Sequence, residues 1–376
     1  MQSERVLIVA NSVYQLLTAV HMKRTILENC CADLIVTDVT PQLKETVPRL
    51  QNTGLFARVL FAATLDLSRK YAGAKDPVLS EGFSNIDRIF RWALSDELGD
   101  YTGVYFANFD PFVRMLACRF YDRPCPFYWY EDGFSSYVID YLREDRAPIN
   151  RHTEGQKIRD KVESVLLYAP RLAMRGDRLP NRALPKICRE DEKLKEILNY
   201  VFAYKRLEQG ADFIFLEQSF RAEGLKNNDI DLMRECQQTV GAGRFIVKPH
   251  PRNPENVPMQ LGLTRQYPHD APWELFLLNE DLSATTVITV CSNGALTSRL
   301  VFGMDMNTVM LYRLFQGRVL WKEDEILQRY LHKFYMQFAG KNYYVPQTVY
   351  ELRSILKYLG GVSPDTSQKM PGGGNG

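Results

Sequence analysis

Short apolar runs rich in β-branched and aromatic residues alternate with helical patterns along most of this chain. Val6–Ala10, Asp33–Thr37, Arg58–Phe61, Val104–Asn108 and Phe127–Tyr130 read as strands. Helical patterns separate them, among them Val13–Ile26, Ile86–Leu98 and Phe112–Phe120. Parallel strands can be joined only by a crossover, so this punctuation predicts a parallel sheet covered on both faces. The rhythm returns after a helical pattern at Asp191–Tyr204. Strands are expected there at Phe213–Leu216, Arg244–Val247, Thr286–Val290 and Thr308–Tyr312, and helices at Asp229–Gln238, Pro272–Asn279, Ala295–Phe302 and Glu323–Phe338. The pattern predicts an α/β chain with two Rossmann-like domains, residues 1–195 and 205–360, facing a central cleft. The Gly-rich tail 361–376 is expected to be disordered.

A length of 376 residues is ample for two hydrophobic cores, and 45% hydrophobic with 24% charged residues is ordinary for a globular protein. A net charge of +2 gives no electrostatic reason to expect nucleic acid as a partner. No apolar run reaches the ~18–20 residues of a membrane span. Seven cysteines without CxxC spacing suit reduced thiols, which points to the cytoplasm. One stretch breaks the alternation. Residues 151–189 carry ten Lys or Arg against four Asp or Glu, interrupted by Pro170, Pro180 and Pro185. Such an excess suits a solvated face, or a peripheral contact with an anionic membrane or polyanionic acceptor.

Three short motifs follow apolar runs, so each is expected at the carboxyl end of a strand, the edge where open α/β sheets bind ligands. Glu131-Asp132-Gly133 follows Phe127–Tyr130. Asp-Gly makes a turn by itself, but an Asp buried beside aromatic rings gains a raised pKa and becomes a useful general base. On a strand, Glu131 would point to the face opposite Asp132. Lys248-Pro249-His250-Pro251-Arg252 places one imidazole between two prolines and two cations, a stiff loop suited to an anion. Ser292-Asn293-Gly294 precedes a helix that would begin near Ala295, where capping and phosphate binding are compatible. Glu274, in Pro272-Trp273-Glu274, opens a further helix and could accept hydrogen bonds from a ribose. Neither GxGxxG nor a P-loop occurs, and five scattered histidines without HExxH speak against a metal site. Asp229-Ile230-Asp231 matches a DxD pattern but reads as helix capping.

Together these motifs resemble those of bacterial sialyltransferases of the lipooligosaccharide and polysialic-acid type, which carry a (D/E)(D/E)G motif, an HP motif and a later serine motif. The counterparts here are Glu131-Asp132-Gly133, His250-Pro251 and Ser292. The opening Val9–Leu16 is similar to their first strand and loop, and Phe213–Gln218 to the first strand of their second domain. The resemblance implies a GT-B fold and a CMP-activated sugar donor, handled without a metal or other cofactor. It implies that Asp132 is the base toward a glycan acceptor, anionic or lipid-linked. His250 would be the second catalytic residue, stabilising or protonating the departing CMP phosphate, with Lys248, Ser292, Asn293 and Gly294 binding that phosphate and Glu274 the ribose. Asn11, Gln15, Asn108, Glu131 and Gly133 would form the surrounding loops. Where that family often has paired hydroxyl residues, this chain has Ser292-Asn293. Other donors (CMP-linked nonulosonic acids or Kdo, or UDP-, GDP- or CDP-linked sugars) and a catalytically silent glycan-binding partner are the alternatives.

Overall fold

A computed structural model describes residues 4–206, 211–265, 267, 272–317, 325–338 and 340–361. The chain divides into two compact units, Met1–Tyr204 with Leu300–Phe302, and Lys205–Arg299 with Gly303–Gly376. Residues 323 and 324, expected to open a helix, and 362–376 of the expected tail lie outside the described residues.

The first unit is built on seven parallel strands: β1 Arg5–Ala10, β2 Cys31–Thr37, β3 Arg58–Ala62, β4 Gly103–Phe106, β5 Phe127–Tyr130, β6 Val162–Leu167 and β7 Asn181–Ala183. Their order is β3-β2-β1-β4-β5-β6-β7. β1 pairs with β2 in the register Val6↔Ala32 and with β4 in the register Val6↔Gly103. Val6–Ala10 and Ala32–Thr37 are buried throughout, as central parallel strands covered on both faces must be. The order reverses between β1 and β4, which opens a crevice beyond their carboxyl ends.

The region 151–189 corrects the sequence reading. It is not a solvated interruption, because β6 and β7 extend the sheet from within it. Val162, Val165, Leu166 and Leu167 are buried, but the charged residues on either side obscure this run in the sequence. Several of its cations are also engaged. Arg175 is buried in an ion pair with Asp177 and lies 4.9 Å over the Trp129 ring. Lys161 donates to Arg123 O at 2.8 Å, and Lys157 pairs with Glu154 at 2.7 Å.

The second unit holds a five-stranded parallel sheet: β8 Phe213–Leu216, β9 Phe245–Lys248, β10 Thr286–Thr289, β11 Asn307–Met310 and β12 Tyr343–Tyr344, in the order β12-β11-β10-β8-β9. One core joins Phe213, Phe215, Phe245, Val247, Ile288 and Val309 to Met233 and Leu352 from the helices Asp229–Val240 and Val349–Leu359. Here the order reverses between β8 and β10. Two boundaries differ from expectation. β4 ends at Phe106, leaving Asn108 in the following loop, and the helix after β10 begins at Asn293 rather than Ala295. Ser292 takes the cap position, its Oγ accepting from Gly294 N at 3.3 Å, so Asn293 and Gly294 belong to the first turn.

Candidate functional site

In the first unit, polar side chains meet across the β1/β4 switch point. Asn11 follows β1, and its Nδ2 donates to Asp110 Oδ2 at 2.8 Å while its Oδ1 accepts from Thr37 at 2.9 Å. Gln15, in the helix Val13–Arg24, accepts from Asn11 N at 2.7 Å through Oε1 and donates to Asn108 Oδ1 at 3.2 Å through Nε2. Asn11 and Gln15 are both nearly inaccessible. The Gln15 amide also hydrogen-bonds Asp132, so the switch point connects directly to the end of β5.

Glu131 and Asp132 have separate environments. Glu131 is fully buried, and its carboxylate accepts from Tyr14 OH at 2.8 Å, from Tyr168 N at 2.8 Å and from Tyr137 OH. Burial pushes its pKa up to about 7, against the opposing pull of these hydrogen bonds. Every lone-pair direction it uses is committed to the protein. Asp132 is half-buried. Burial raises its pKa too, and the Gln15 amide alone opposes the rise. The turn depends on Gly133, whose φ of +73° side chains rarely adopt. Asp132 N donates to Ser136 Oγ at 2.8 Å, which holds the turn against the helix Ser135–Val138. Glu131 is thus held by three protein donors, whereas Asp132 has, among the described residues, the Gln15 amide as its one side-chain hydrogen-bond partner.

In the second unit, Lys248, His250, Glu274 and Ser292 gather at the carboxyl edge of the sheet. Lys248 closes β9 and is 8% exposed. Its Nζ lies 5.3 Å from the Tyr267 ring centroid and forms no hydrogen bond or ion pair among the described residues. Burial lowers its pKa to about 8, and the charge of Glu274 opposes the fall. Glu274 stands in the first turn of the helix Trp273–Asn279, and burial raises its pKa. His250 Nδ1 accepts from Arg252 N at 3.2 Å, which leaves the proton on Nε2. Burial first, then the cations Arg252 and Lys248, bring its pKa down to about 4. At neutral pH His250 is a neutral Nε2–H donor. Gly294 is tightly packed: an added Cβ would lie 3.2 Å from both Leu216 and Trp273, and Trp273 Nε1 donates to Gly294 O at 2.7 Å.

Sequence reasoning missed the residues that organise these edges. Tyr14, Tyr137 and Tyr168 enclose Glu131, and Asp110 caps the helix Pro111–Arg119 while holding Asn11. In the second unit Glu217 accepts from His250 N at 2.8 Å and Gln218 Oε1 from Cys291 N at 2.7 Å. The one available signal was a polar Glu-Gln-Ser directly after an apolar strand. Among the described residues, no three His, Cys, Asp or Glu side chains gather as a metal site.

No protein-family model matches the chain, and no curated protein matches its sequence. Solved structures do resemble it. A UDP-GlcNAc 2-epimerase from Methanocaldococcus jannaschii matches at 9% identity and a TM-score of 0.51, over 96% of this chain and 93% of its own. An α/β-galactoside α-2,3-sialyltransferase from Photobacterium phosphoreum matches at 9% identity and a TM-score of 0.50, over 92% and 99%. A kitacinnamycin glycotransferase matches at 9% and 0.51, over 96% and 92%. The fold is GT-B. A transferase and an epimerase both use it, so the fold leaves the reaction to the side chains.

Proposed function

We propose that the protein is an inverting, metal-independent glycosyltransferase that moves sialic acid, or a related nonulosonic acid, from a CMP donor to a glycan hydroxyl. The observation that carries this reading is the anion-ready edge of the second unit. Lys248 is a buried ammonium with, among the described residues, no anionic partner within hydrogen-bonding distance, beside a neutral His250 Nε2–H donor and the capped helix start at Ser292. A buried cation without an ion-pair partner is costly, and a bound phosphate removes that cost.

Each residue then has a defined task. Asp132 takes the proton of the acceptor hydroxyl, with Glu131, Gly133, Gln15, Asn11 and Asn108 fixing its loop. His250 donates through Nε2 to the departing CMP phosphate; a pKa of about 4 makes it a hydrogen-bond donor rather than a proton donor. Lys248 offsets phosphate charge, and Ser292 with the backbone of Asn293 and Gly294 completes the grip. Glu274 accepts from the ribose hydroxyls. The acceptor oxygen forms its bond to the anomeric carbon as the bond to the CMP oxygen breaks, inverting the centre. A membrane contact would use the exposed Arg151, Arg171, Arg178 and Arg182. No described helix is long and apolar enough to cross a membrane.

Thermal shift with CMP, CDP, UDP, GDP and CMP-sialic acid, each with and without EDTA, tests the reading. A ligand at about 100 times its Kd stabilises the fold by about 2.7 kcal/mol. Stabilisation by CMP species alone, indifferent to EDTA, is expected. A response to UDP or GDP alone would move the protein to another nucleotide-sugar class.

A further inference from the structure

We infer that Glu217 and Gln218, the two residues directly after β8, are positioning residues that hold the His250 and Ser292 loops in one register around a phosphate. The inference rests on the anion-site reading above. β8 lies between β9 and β10 in the sheet, so its carboxyl end adjoins both loops, and the sheet order reverses between β8 and β10.

On the β9 side, Pro249 has no N–H and interrupts the backbone ladder. Glu217 bridges the interruption with two bonds. Its N–H donates to Lys248 O at 3.1 Å, and its carboxylate accepts from His250 N at 2.8 Å. Its side chain is fully buried, and its charge is offset by an ion pair with Arg221, which also reaches Asp229 at 3.3 Å. Gln218 O accepts from Asn253 Nδ2 at 2.9 Å, closing the far end of the same loop.

On the β10 side, Gln218 Oε1 accepts from Cys291 N at 2.7 Å. Thr289 Oγ1 donates to Leu216 O at 2.8 Å and accepts from Ser292 N at 3.2 Å. The backbone leading into the helix Asn293–Leu300 is thus bonded to the same short segment that holds His250. Neither Glu217 nor Gln218 needs to touch the ligand; each sets where a ligand-facing group stands.

The test uses Gln218→Met, close in shape but without the acceptor, and Glu217→Ala, with CMP as probe. Calorimetry gives the Kd, the ³¹P resonance of bound CMP reports the phosphate environment, and melting temperature reports folding. Loss of one positioning bond is expected to weaken CMP about tenfold in each variant. The ³¹P signal is expected to move, and Gln218→Met to melt within a few degrees of wild type. A lowered melting temperature with unchanged CMP affinity and ³¹P shift would make the two residues merely structural and overturn the inference. If wild type binds UDP instead of CMP, the donor reading falls and the same comparison is made with UDP. If wild type binds no nucleotide, both readings fall.

Discussion

Tyr14 donates its hydroxyl to Glu131 Oε1 at 2.8 Å, joining two residues 117 positions apart in the sequence. The bond ties the helix Val13–Arg24 to the end of β5, and the same helix carries the Gln15 amide that touches Asp132. The carboxylates of Glu131 and Asp132 are therefore both held by one helix.

Glu131→Ala would leave Tyr14 OH, Tyr137 OH and Tyr168 N without their buried acceptor, and is expected to cost about 2–4 kcal/mol of stability. Glu131→Gln should be mild. Its amide oxygen can accept from Tyr168 N while its NH₂ donates to Tyr14, whose hydroxyl can rotate. Both variants remove a titratable group, so each differs from wild type in pH dependence as well. The folded pKa of Glu131, about 7, lies above its unfolded value of 4.5. The native state then holds more protons between those values, so stability declines as pH rises through that window. Melting curves from pH 4.5 to 8 should show a shallower decline in Glu131→Gln than in wild type. Parallel profiles would remove Glu131 as the source.

Asp132→Asn and Asp132→Ala are expected to lower transfer about 10²–10⁴-fold, the usual range for a general base. Donor binding by the second unit should be nearly unchanged, because the Asp132 carboxylate is not part of that edge. In wild type, kcat/KM should fall as pH drops through the raised Asp132 pKa, since only the carboxylate can take the acceptor proton. Folded Asp132 variants that retain full transfer would exclude the role.

Strands β1 to β5 and β8 to β11 were legible in the sequence, and β6, β7 and β12 were not. The three motif positions stood out because their apolar runs end in residues that cannot continue them: Gly133, Pro249 and Gly294. The tyrosine enclosure did not. Its members stand 117, 6 and 37 positions from Glu131, and nothing local distinguishes them from core tyrosines. Glu217 and Gln218 were hidden for the same reason, 33 and 73 positions from the amides they hold. β6 was obscured differently: Glu163 and Ser164 interrupt its apolar run, and basic residues surround it. Ser164 is nonetheless fully buried, showing that position in the sheet overrode local polarity.

Trp273→Phe removes the Nε1 donor from Gly294 O while keeping most of the ring, and should cost about 1 kcal/mol. Gly294→Ala brings a Cβ to 3.2 Å from both Leu216 and Trp273. One of them must shift, so a comparable loss is expected, together with weaker CMP binding because the helix start moves. Denaturant melts and CMP calorimetry on the pair would check this. Lost stability with intact CMP affinity would mean that Gly294 serves packing alone.

His250 offers the sharpest test of mechanism, because donating a hydrogen bond and donating a proton predict different pH behaviour. Its folded pKa, about 4, lies below the ordinary 6.5. The unfolded chain binds the extra proton first, so the stability from the neutral ring is fully present above pH 6.5 and is lost as pH falls toward 4. An NMR titration of ligand-free protein should place the imidazole below pH 5, with the Nε2–H tautomer at neutrality. His250→Ala is expected to lower kcat/KM about 10²–10³-fold, as removal of one preorganised donor does. His250→Gln, which can present an N–H near the Nε2 position, should recover part of that loss. A titration midpoint near 6.5, with His250→Gln as inactive as His250→Ala, would instead make His250 a general acid.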